Sequence, residues 1–184
     1  QIELRACCDV DASKAERFRS SFGFGKAYTD VDEMLRVEKP DAVSLVVPVP
    51  LTESMSIKLL EAGIPVILEK PPGMNREQAM RMMEVAERTG TIHQVAFNRR
   101  FMPMIRRFRE LRQGCQPHLW QYEFYRCGRK DVDFSTTSIH AIDTVRFLAG
   151  NDYEKVNFEY LPNPAGEEYV PTILLDASFR DGQK

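Results

Sequence analysis

The chain has 184 residues, of which 43% are hydrophobic and 28% charged, and its 25 Lys and Arg residues against 27 Asp and Glu residues give a net charge of −2. These ordinary globular proportions exclude a disordered chain, and the balanced charge excludes a global basic attraction to nucleic acid. The longest apolar run, Ala42–Leu51, contains a serine and two prolines and is too short to span a bilayer.

The four cysteines are Cys7, Cys8, Cys115 and Cys127, and none of them forms a C-x-x-C pair. This pattern predicts neither a zinc site nor a disulfide framework, and it favours buried thiols in a reducing compartment. The chain opens with Gln1 and shows no targeting signal, so we expect an excerpt or a processed chain that resides in the cytoplasm.

Short apolar runs alternate with helical patterns in the first half. Predicted strands are Ile2–Cys8, Ala27–Thr29, Ala42–Val47, Pro65–Leu68 and Ile92–Phe97. Predicted helices are Ser13–Phe22, Val31–Val37, Thr52–Ala62 and Asn75–Thr89, with caps at Asp11 or Ser13 and at Asn75, and glycine stops at Gly23, Gly63 and Gly90. This alternation predicts a Rossmann-type, doubly wound parallel sheet, which binds ligands at the carboxyl ends of its strands.

The second half changes character, with fewer βα alternations and more aromatic residues. Its predicted elements are a helix over Pro103–Arg112, an aromatic strand over His118–Cys127, a helix over Ser138–Leu148, and strands over Val156–Tyr160 and Ile173–Phe179. We expect part of an α+β domain with a mostly antiparallel sheet. The predicted boundary near Asn98 divides the chain into a first domain, residues 1–98, and a second domain, residues 99–184.

Three motifs then carry a family resemblance. They are Gly63-x-x-Val66-x-x-Glu69-Lys70-Pro71, Phe97-Asn98-Arg99-Arg100-Phe101-x-Pro103 and His140-x-x-Asp143-x-x-x-x-Leu148-x-Gly150. In this order the chain resembles the Gfo/Idh/MocA family of NAD(P)-dependent oxidoreductases, most of all its MviM-type members. The resemblance implies hydride transfer between a nicotinamide cofactor and a secondary alcohol or ketone of a sugar, polyol or similar small molecule. It also implies a dinucleotide-binding role for residues 1–98, a substrate and oligomerisation role for residues 99–184, and a homo-oligomer, a dimer or tetramer. The charge balance, the hydropathy and the cysteine spacing predict no nucleic-acid, membrane or metal partner.

One expected family feature is absent from this sequence. The family begins with a strand and a G-x-G-x-x-G turn, whereas Gly23-x-Gly25 precedes a strand. We expect the missing strand to lie between those that begin at Ile2 and Ala42, which leaves two strand edges unpaired. We infer that segments are lacking at both ends, and we expect poor stability and weak cofactor binding from these residues alone.

Lys70 follows a buried strand and precedes two prolines, which stiffen the turn. A lysine at this position can point into the ligand crevice and polarise a substrate oxygen. The alternative is that Lys70 is an ordinary solvent-exposed residue at the end of a strand. The resemblance implies that Lys70 contacts the substrate hydroxyl beside the nicotinamide. Glu69 is interpreted as a structural or cofactor-side hydrogen-bonding group.

His140 lies in the first turn of a predicted helix, where the helix dipole favours the neutral imidazole. A neutral imidazole can accept an alcohol proton as hydride leaves, and the resemblance implies this role, while a packed helix histidine is the alternative. Catalytic relatives carry an aspartate where this chain has Thr136, which can hydrogen-bond a substrate but holds no charge. Asp133 or Asp143 could compensate. The other two histidines are interpreted as structural.

Asp9 ends the first predicted strand, where an acidic residue accepts hydrogen bonds from the adenosine ribose hydroxyls and disfavours a 2′-phosphate. This position predicts NAD rather than NADP, with helix capping as the alternative role. After the Ala42–Val47 strand the chain keeps the family's proline as Pro48, a predicted cofactor contact. Val49 and Thr52 replace the family's asparagine and histidine.

Arg99 and Arg100 open a local basic run. The resemblance places this pair near the crevice between domains, with Arg99 on the cofactor side and Arg100 toward an anionic group of the substrate. The later arginines are interpreted as a solvated face or as partners of acids, and a nucleic-acid patch is the less favoured alternative. The aromatic residues of Trp120–Tyr125 suit a sugar-stacking platform or plain sheet packing. The rival function is a non-catalytic dinucleotide or sugar sensor, or an assembly protein.

Overall fold

The structure is a computed structural model that describes residues 2–115, 117–125, 138–164, 166 and 171–182. The chain forms two compact units. The first contains Gln1–Leu68 and Asn75–Gln94, and the second contains Glu69–Met74 and Val95–Lys184. The short Glu69–Met74 segment therefore groups with residues that are distant in sequence.

The first unit alternates strands and helices as the sequence predicts. Its strands are β1 (Ala6–Cys8), β2 (Lys26–Tyr28), β3 (Val43–Leu45), β4 (Val66–Leu68) and β5 (His93–Val95), the last of which ends one residue beyond the unit. Its helices are α1 (Ala12–Phe22), α2 (Val31–Glu38), α3 (Val49–Glu61) and α4 (Arg76–Thr89).

The strands of the first unit form two sheets. In one sheet β1 pairs in parallel with β2, and in the other the order is β3-β4-β5 with β3 and β4 parallel. Within the part of the chain that the structure describes, β1 and β3 do not pair, as the sequence predicts. Each strand is three residues long, and all except β2 are shorter than the predicted strands, because a ladder extends only where a neighbour supplies hydrogen bonds.

Local side-chain signals set the helix ends. The Asp11 carboxylate accepts hydrogen bonds from the Ser13 and Lys14 amides and begins α1, which ends at Gly23 with φ 76°. That left-handed backbone strains any residue with a Cβ, so glycine is favoured there. Asn75 caps α4 by accepting from the Gln78 amide, which confirms the predicted start.

The start of α3 differs from the prediction. The helix begins at Val49 rather than Thr52, with Pro48 as the preceding cap residue and Pro50 in the first turn. A proline is tolerated there because amides in the first helical turn have no carbonyl partner within the helix. Pro48 and Pro50 therefore belong to the beginning of this helix.

A buried carboxylate ties α2 to β2. Glu38 exposes 6% of its side chain and accepts hydrogen bonds from the Tyr28 hydroxyl at 2.5 Å and the Lys26 ammonium at 2.9 Å. These hydrogen bonds lower the pKa of Glu38. The apolar core of this unit lies beneath α3 and α4 and includes Leu60 and Met82, both fully buried.

Among its described residues, the second unit contains a 3₁₀ turn, two helices and an antiparallel strand pair. They are the 3₁₀ turn Asn98–Phe101, α5 (Pro103–Leu111), α6 (Ile139–Ala149), β6 (Tyr153–Leu161) and β7 (Thr172–Phe179). The strands pair in antiparallel register from Tyr153 opposite Phe179 to Leu161 opposite Thr172, as predicted for an α+β domain. Tyr153 also stacks on Phe179, with ring centroids 4.6 Å apart.

The predicted aromatic strand is wrong over its described part. Residues 118–125 form no strand, and the last two residues of the predicted element lie outside the described residues. The alternating aromatic rings instead contact arginines of other elements: Arg112 lies 5.1 Å from the Trp120 ring and Arg99 lies 4.5 Å from the Phe124 ring. These cation–π contacts explain the aromatic pattern without a pairing strand.

The cysteines are less buried than predicted. The described cysteines Cys7, Cys8 and Cys115 are all free thiols; Cys7 is half-buried, whereas Cys8 and Cys115 are exposed. The apolar pattern around Cys8 predicts burial, but the residue lies at the end of a short strand, where few neighbours cover it. Across the described ranges, no helix has the length and apolar character that crossing a membrane requires.

Candidate active site

The Glu-Lys-Pro motif leaves the end of β4 and enters the second unit. Lys70 is half-buried, Glu69 is exposed and Pro71 is buried, and the Lys70–Pro71 peptide bond is cis. The burial of Pro71 holds the backbone next to the lysine. Lys70 therefore sits on an anchored turn in the same compact unit as His140.

His140 is the second residue of α6, in the first turn, as the sequence predicts. The residue is 8% exposed and so is packed rather than on the helix surface. The Thr144 hydroxyl donates to the His140 carbonyl at 2.6 Å, within the same helix. An imidazole in this position can act as a proton acceptor in its neutral form.

Arg100 makes a bidentate ion pair with Asp143, one helical turn after His140. Its Nε lies 2.9 Å from Oδ2 and 3.2 Å from Oδ1, and its Nη2 also contacts Oδ1. The Asp143 side chain is 6% exposed. Hydrogen bonding to this carboxylate raises the pKa of the Arg100 guanidinium. The guanidinium lies 5.2 Å from the Phe97 ring centroid and 5.6 Å from that of Phe147.

Arg99 points to the aromatic segment of its own unit. Its Nη1 donates to the Tyr122 hydroxyl at 3.3 Å, and its guanidinium lies over Phe124. The two adjacent arginines thus have different hydrogen-bond partners, a tyrosine hydroxyl for Arg99 and a carboxylate for Arg100.

The later arginines divide between acids and packing contacts. Arg107 pairs with Glu110 at 3.1 Å, as predicted for a solvated helix face. Arg109 lies 4.5 Å from the Phe147 ring, and Arg112 donates to the Leu148 carbonyl at 2.5 Å. These two side chains hold α5 against the end of α6 and are structural.

Two predicted cofactor contacts lie in the first unit. Asp9 directly follows β1, its amide donates to the Tyr28 carbonyl at 3.1 Å, and its Oδ1 accepts from the Asp11 amide at 2.9 Å. Because Asp11 is the cap of α1, Asp9 is not needed for that role. Pro48 is exposed at the start of α3, after the carboxyl end of β3.

These residues fit a dinucleotide in their chemistry. A carboxylate after a parallel strand offers acceptors to ribose hydroxyls. The start of α3 offers few amides, because Pro48 and Pro50 have no N–H and the Leu51 amide donates to the Pro48 carbonyl at 2.8 Å. Thr52 does not add to this set, because it is 4% exposed and buried within α3. Thr136 and Asp133 lie outside the described residues.

The Arg100–Asp143 pair is the site feature that sequence reasoning missed. Arg100 and Asp143 each belong to one of the three family motifs. The sequence predicts a substrate contact for Arg100, and it offers Asp143 as a carboxylate that could compensate for Thr136. The His140-x-x-Asp143 spacing could have suggested a helix-internal acid that needs a partner. The identity of that partner, 43 residues away, requires the fold.

The chain thus combines a parallel α/β unit, with an acidic residue after β1, and an α+β unit with a buried histidine at the start of a helix. The model of the Gfo/Idh/MocA oxidoreductase family, described by its NAD-binding Rossmann fold, matches residues 1–97. The chain therefore belongs to this family.

Several relatives are dehydrogenases of sugars and polyols. D-glucoside 3-dehydrogenase of Escherichia coli is 35% identical over 109 residues, 59% of this chain and 31% of its own length. D-apiose dehydrogenase of Paraburkholderia graminis is 29% identical over 189 residues, 94% of this chain and 50% of its own length.

The solved structures support the same fold. Scyllo-inositol dehydrogenase of Lactobacillus casei, with bound NAD(H) and scyllo-inositol, has a TM-score of 0.79 at 22% identity and covers 98% of this chain and 59% of its own. The chain thus spans between about a third and three fifths of the length of these relatives.

Proposed function

We propose that the protein transfers hydride between a nicotinamide cofactor and a secondary alcohol or ketone of a sugar, polyol or similar small molecule. The observation that carries this proposal is the buried His140 at the start of α6, in the same compact unit as the anchored Lys70. The names of the relatives, which include a glucoside, an apiose and an inositol dehydrogenase, support the substrate class.

The chemistry divides between two side chains. The Lys70 ammonium donates a hydrogen bond to the substrate oxygen and stabilises the negative charge that develops there. The His140 imidazole accepts the hydroxyl proton while the carbinol hydrogen leaves with its electron pair, and returns the proton in the reverse reaction. A bound nicotinamide ring supplies the hydride acceptor or donor.

The cofactor is proposed to be NAD rather than NADP. The Asp9 carboxylate accepts hydrogen bonds from the ribose hydroxyls and repels a 2′-phosphate. Pro48, Glu69 and Arg99 are proposed as further contacts on the cofactor side, and Lys70 reaches the nicotinamide end. Arg100 is proposed to face the substrate with Nη1, the nitrogen that Asp143 does not engage.

Two broader expectations accompany this function. We propose a homo-oligomer, a dimer or tetramer, that works in the cytoplasm on a small molecule. Light scattering on the purified protein tests the oligomer, and fractionation of the source cells tests the location.

The rival function is a non-catalytic dinucleotide or sugar sensor of the same fold. The burial of Thr52, where the family pattern has a histidine, favours this rival because the side chain is turned into the helix packing. Thr136 in place of the catalytic aspartate favours it as well. Such a protein binds NADH without turnover.

The experiment combines a binding and a turnover measurement. NADH is titrated by fluorescence, and NADH formation is then followed with a panel of inositols, glucosides, pentoses and polyols. We expect turnover with at least one of them, and we expect Lys70→Ala to abolish it while NADH still binds.

Lys14→Ala is the matched control, because Lys14 is an exposed lysine on α1 and has no proposed role. Binding of NADH without turnover on any substrate would support the sensor instead. Turnover that survives Lys70→Ala would contradict the proposed mechanism.

A further inference from the structure

The Arg100–Asp143 pair links two elements that are far apart in sequence. The Asp143 side chain is buried, and both of its carboxylate oxygens accept hydrogen bonds from Arg100. A buried carboxylate needs such a partner, because desolvation is costly unless the charge is paired and hydrogen-bonded. The pair therefore fastens α6 to the 3₁₀ turn that follows β5.

The fastened part of α6 is the part that carries His140. Residues three apart on a helix are neighbours, with Cβ atoms about 5–6 Å apart, so Asp143 and His140 share a face. The same stretch is held from β6, where the Tyr153 hydroxyl donates to the Ile142 carbonyl at 2.9 Å. The first turns of α6 are thus fixed at a side chain by Arg100 and at a carbonyl by Tyr153.

We propose that Arg100 and Asp143 are a positioning pair for His140, which sets the orientation of its imidazole and neutralises the carboxylate beside it. The inference rests on the proposed proton-transfer role of His140. In this arrangement Asp143 does not take the place of the carboxylate that the family pattern has at Thr136, because both of its oxygens are committed to Arg100.

Other charged groups on the surrounding elements are paired, neutral or distant along the helix. Arg146 on α6 pairs with Asp152 at 2.5 Å, and burial raises the pKa of Tyr153 to about 12, so it is neutral at working pH. Further charged groups nearby include Arg99 on the 3₁₀ turn, Lys70 in the same unit, and Arg109 on α5 and Arg112 directly after it, both of which contact the far end of α6. The strand pair adds the exposed side chains Glu154, Lys155, Glu159 and Asp176, whose charges are screened by solvent.

The first measurement is an NMR titration of the His140 ring, assigned with a His140→Gln variant. In Asp143→Asn the Arg100 cation loses its partner and disfavours the imidazolium, so the midpoint of the His140 titration moves to lower pH. In Arg100→Met the carboxylate is left unpaired and favours the imidazolium, so the midpoint moves to higher pH. In the double variant it returns toward that of the unmodified protein.

The second measurement is turnover. We expect kcat to fall about 10- to 100-fold in both single variants and in the double variant, because all three lose the Arg100–Asp143 ion pair that holds the first turns of α6. The affinity for NADH stays unchanged in these variants. Arg100→Lys retains the charge without the planar fork, so it keeps the titration midpoint and still loses kcat. The control is Arg146→Met with Asp152→Asn, an exposed pair at the other end of α6, which leaves both readouts unchanged.

The outcomes separate this inference from the proposed function. Absence of turnover in the unmodified protein contradicts the proposed function, while opposite midpoint shifts still support the link between the pair and His140. Midpoints that stay fixed, or that move in the same direction in both single variants, overturn the positioning pair even in an active enzyme.

Discussion

Asp9 offers a direct test of the cofactor assignment, because its two oxygens have different surroundings. Oδ1 accepts from the Asp11 amide at 2.9 Å, whereas Oδ2 makes no hydrogen bond to the described residues. The proposed ribose contact gives this carboxylate at least one charge-assisted hydrogen bond from a ribose hydroxyl. Asp9→Asn keeps an oxygen for the Asp11 amide and so preserves the turn, but it removes the charge.

The expected loss follows from the charge. A hydrogen bond to a charged group contributes about 1.5–3 kcal/mol, so removing it weakens NADH binding about 10- to 150-fold in Kd. Binding of NADPH weakens less or improves, because the repulsion of the 2′-phosphate is also removed. Calorimetric titration with both nucleotides measures the ratio.

The matched control for this variant is Asp30→Asn. Asp30 follows β2, and its carboxylate accepts from the Glu33 amide at 2.7 Å as the cap of α2. Asparagine caps a helix about as well as aspartate, so this variant removes a nearby charge with little structural change. Equal NADH affinities for Asp9→Asn and the unmodified protein, or equal losses in both variants, would refute the ribose assignment.

Two further predictions concern stability. Gly25→Ala places a Cβ 2.8 Å from the Arg5 carbonyl oxygen, so we expect a loss of about 1–3 kcal/mol in the free energy of unfolding, measured by urea denaturation. Burial raises the pKa of Tyr153 to about 12, above its ordinary value of 10, so the folded state keeps a proton that the unfolded state loses. The contribution of Tyr153 to the free energy of unfolding is therefore complete below pH 10 and is lost between pH 10 and 12. Tyr153→Phe removes this decline in urea denaturation measured across that pH range, and a decline of the same size in the variant would contradict the role of Tyr153.

The sequence by itself determined features that depend on neighbours a few residues away. The cap at Asp11, the left-handed end at Gly23 and the cap at Asn75 are local hydrogen-bonding and steric events, so the ends of α1 and the start of α4 follow directly from the residues. The βα alternation likewise predicts parallel strands, and β1 with β2 and β3 with β4 do pair in parallel. The position of His140 at a helix start belongs to the same group.

Only the tertiary structure decided features that need a partner from elsewhere in the chain. The aromatic pattern around Trp120 suits a strand, but a strand exists only where a second strand supplies hydrogen bonds, and its rings meet arginines instead. The role of Arg100 depends on a carboxylate that folding brings to it from α6. Electrostatic pairing and burial act through space, so the residue order alone leaves the partners of such side chains undetermined.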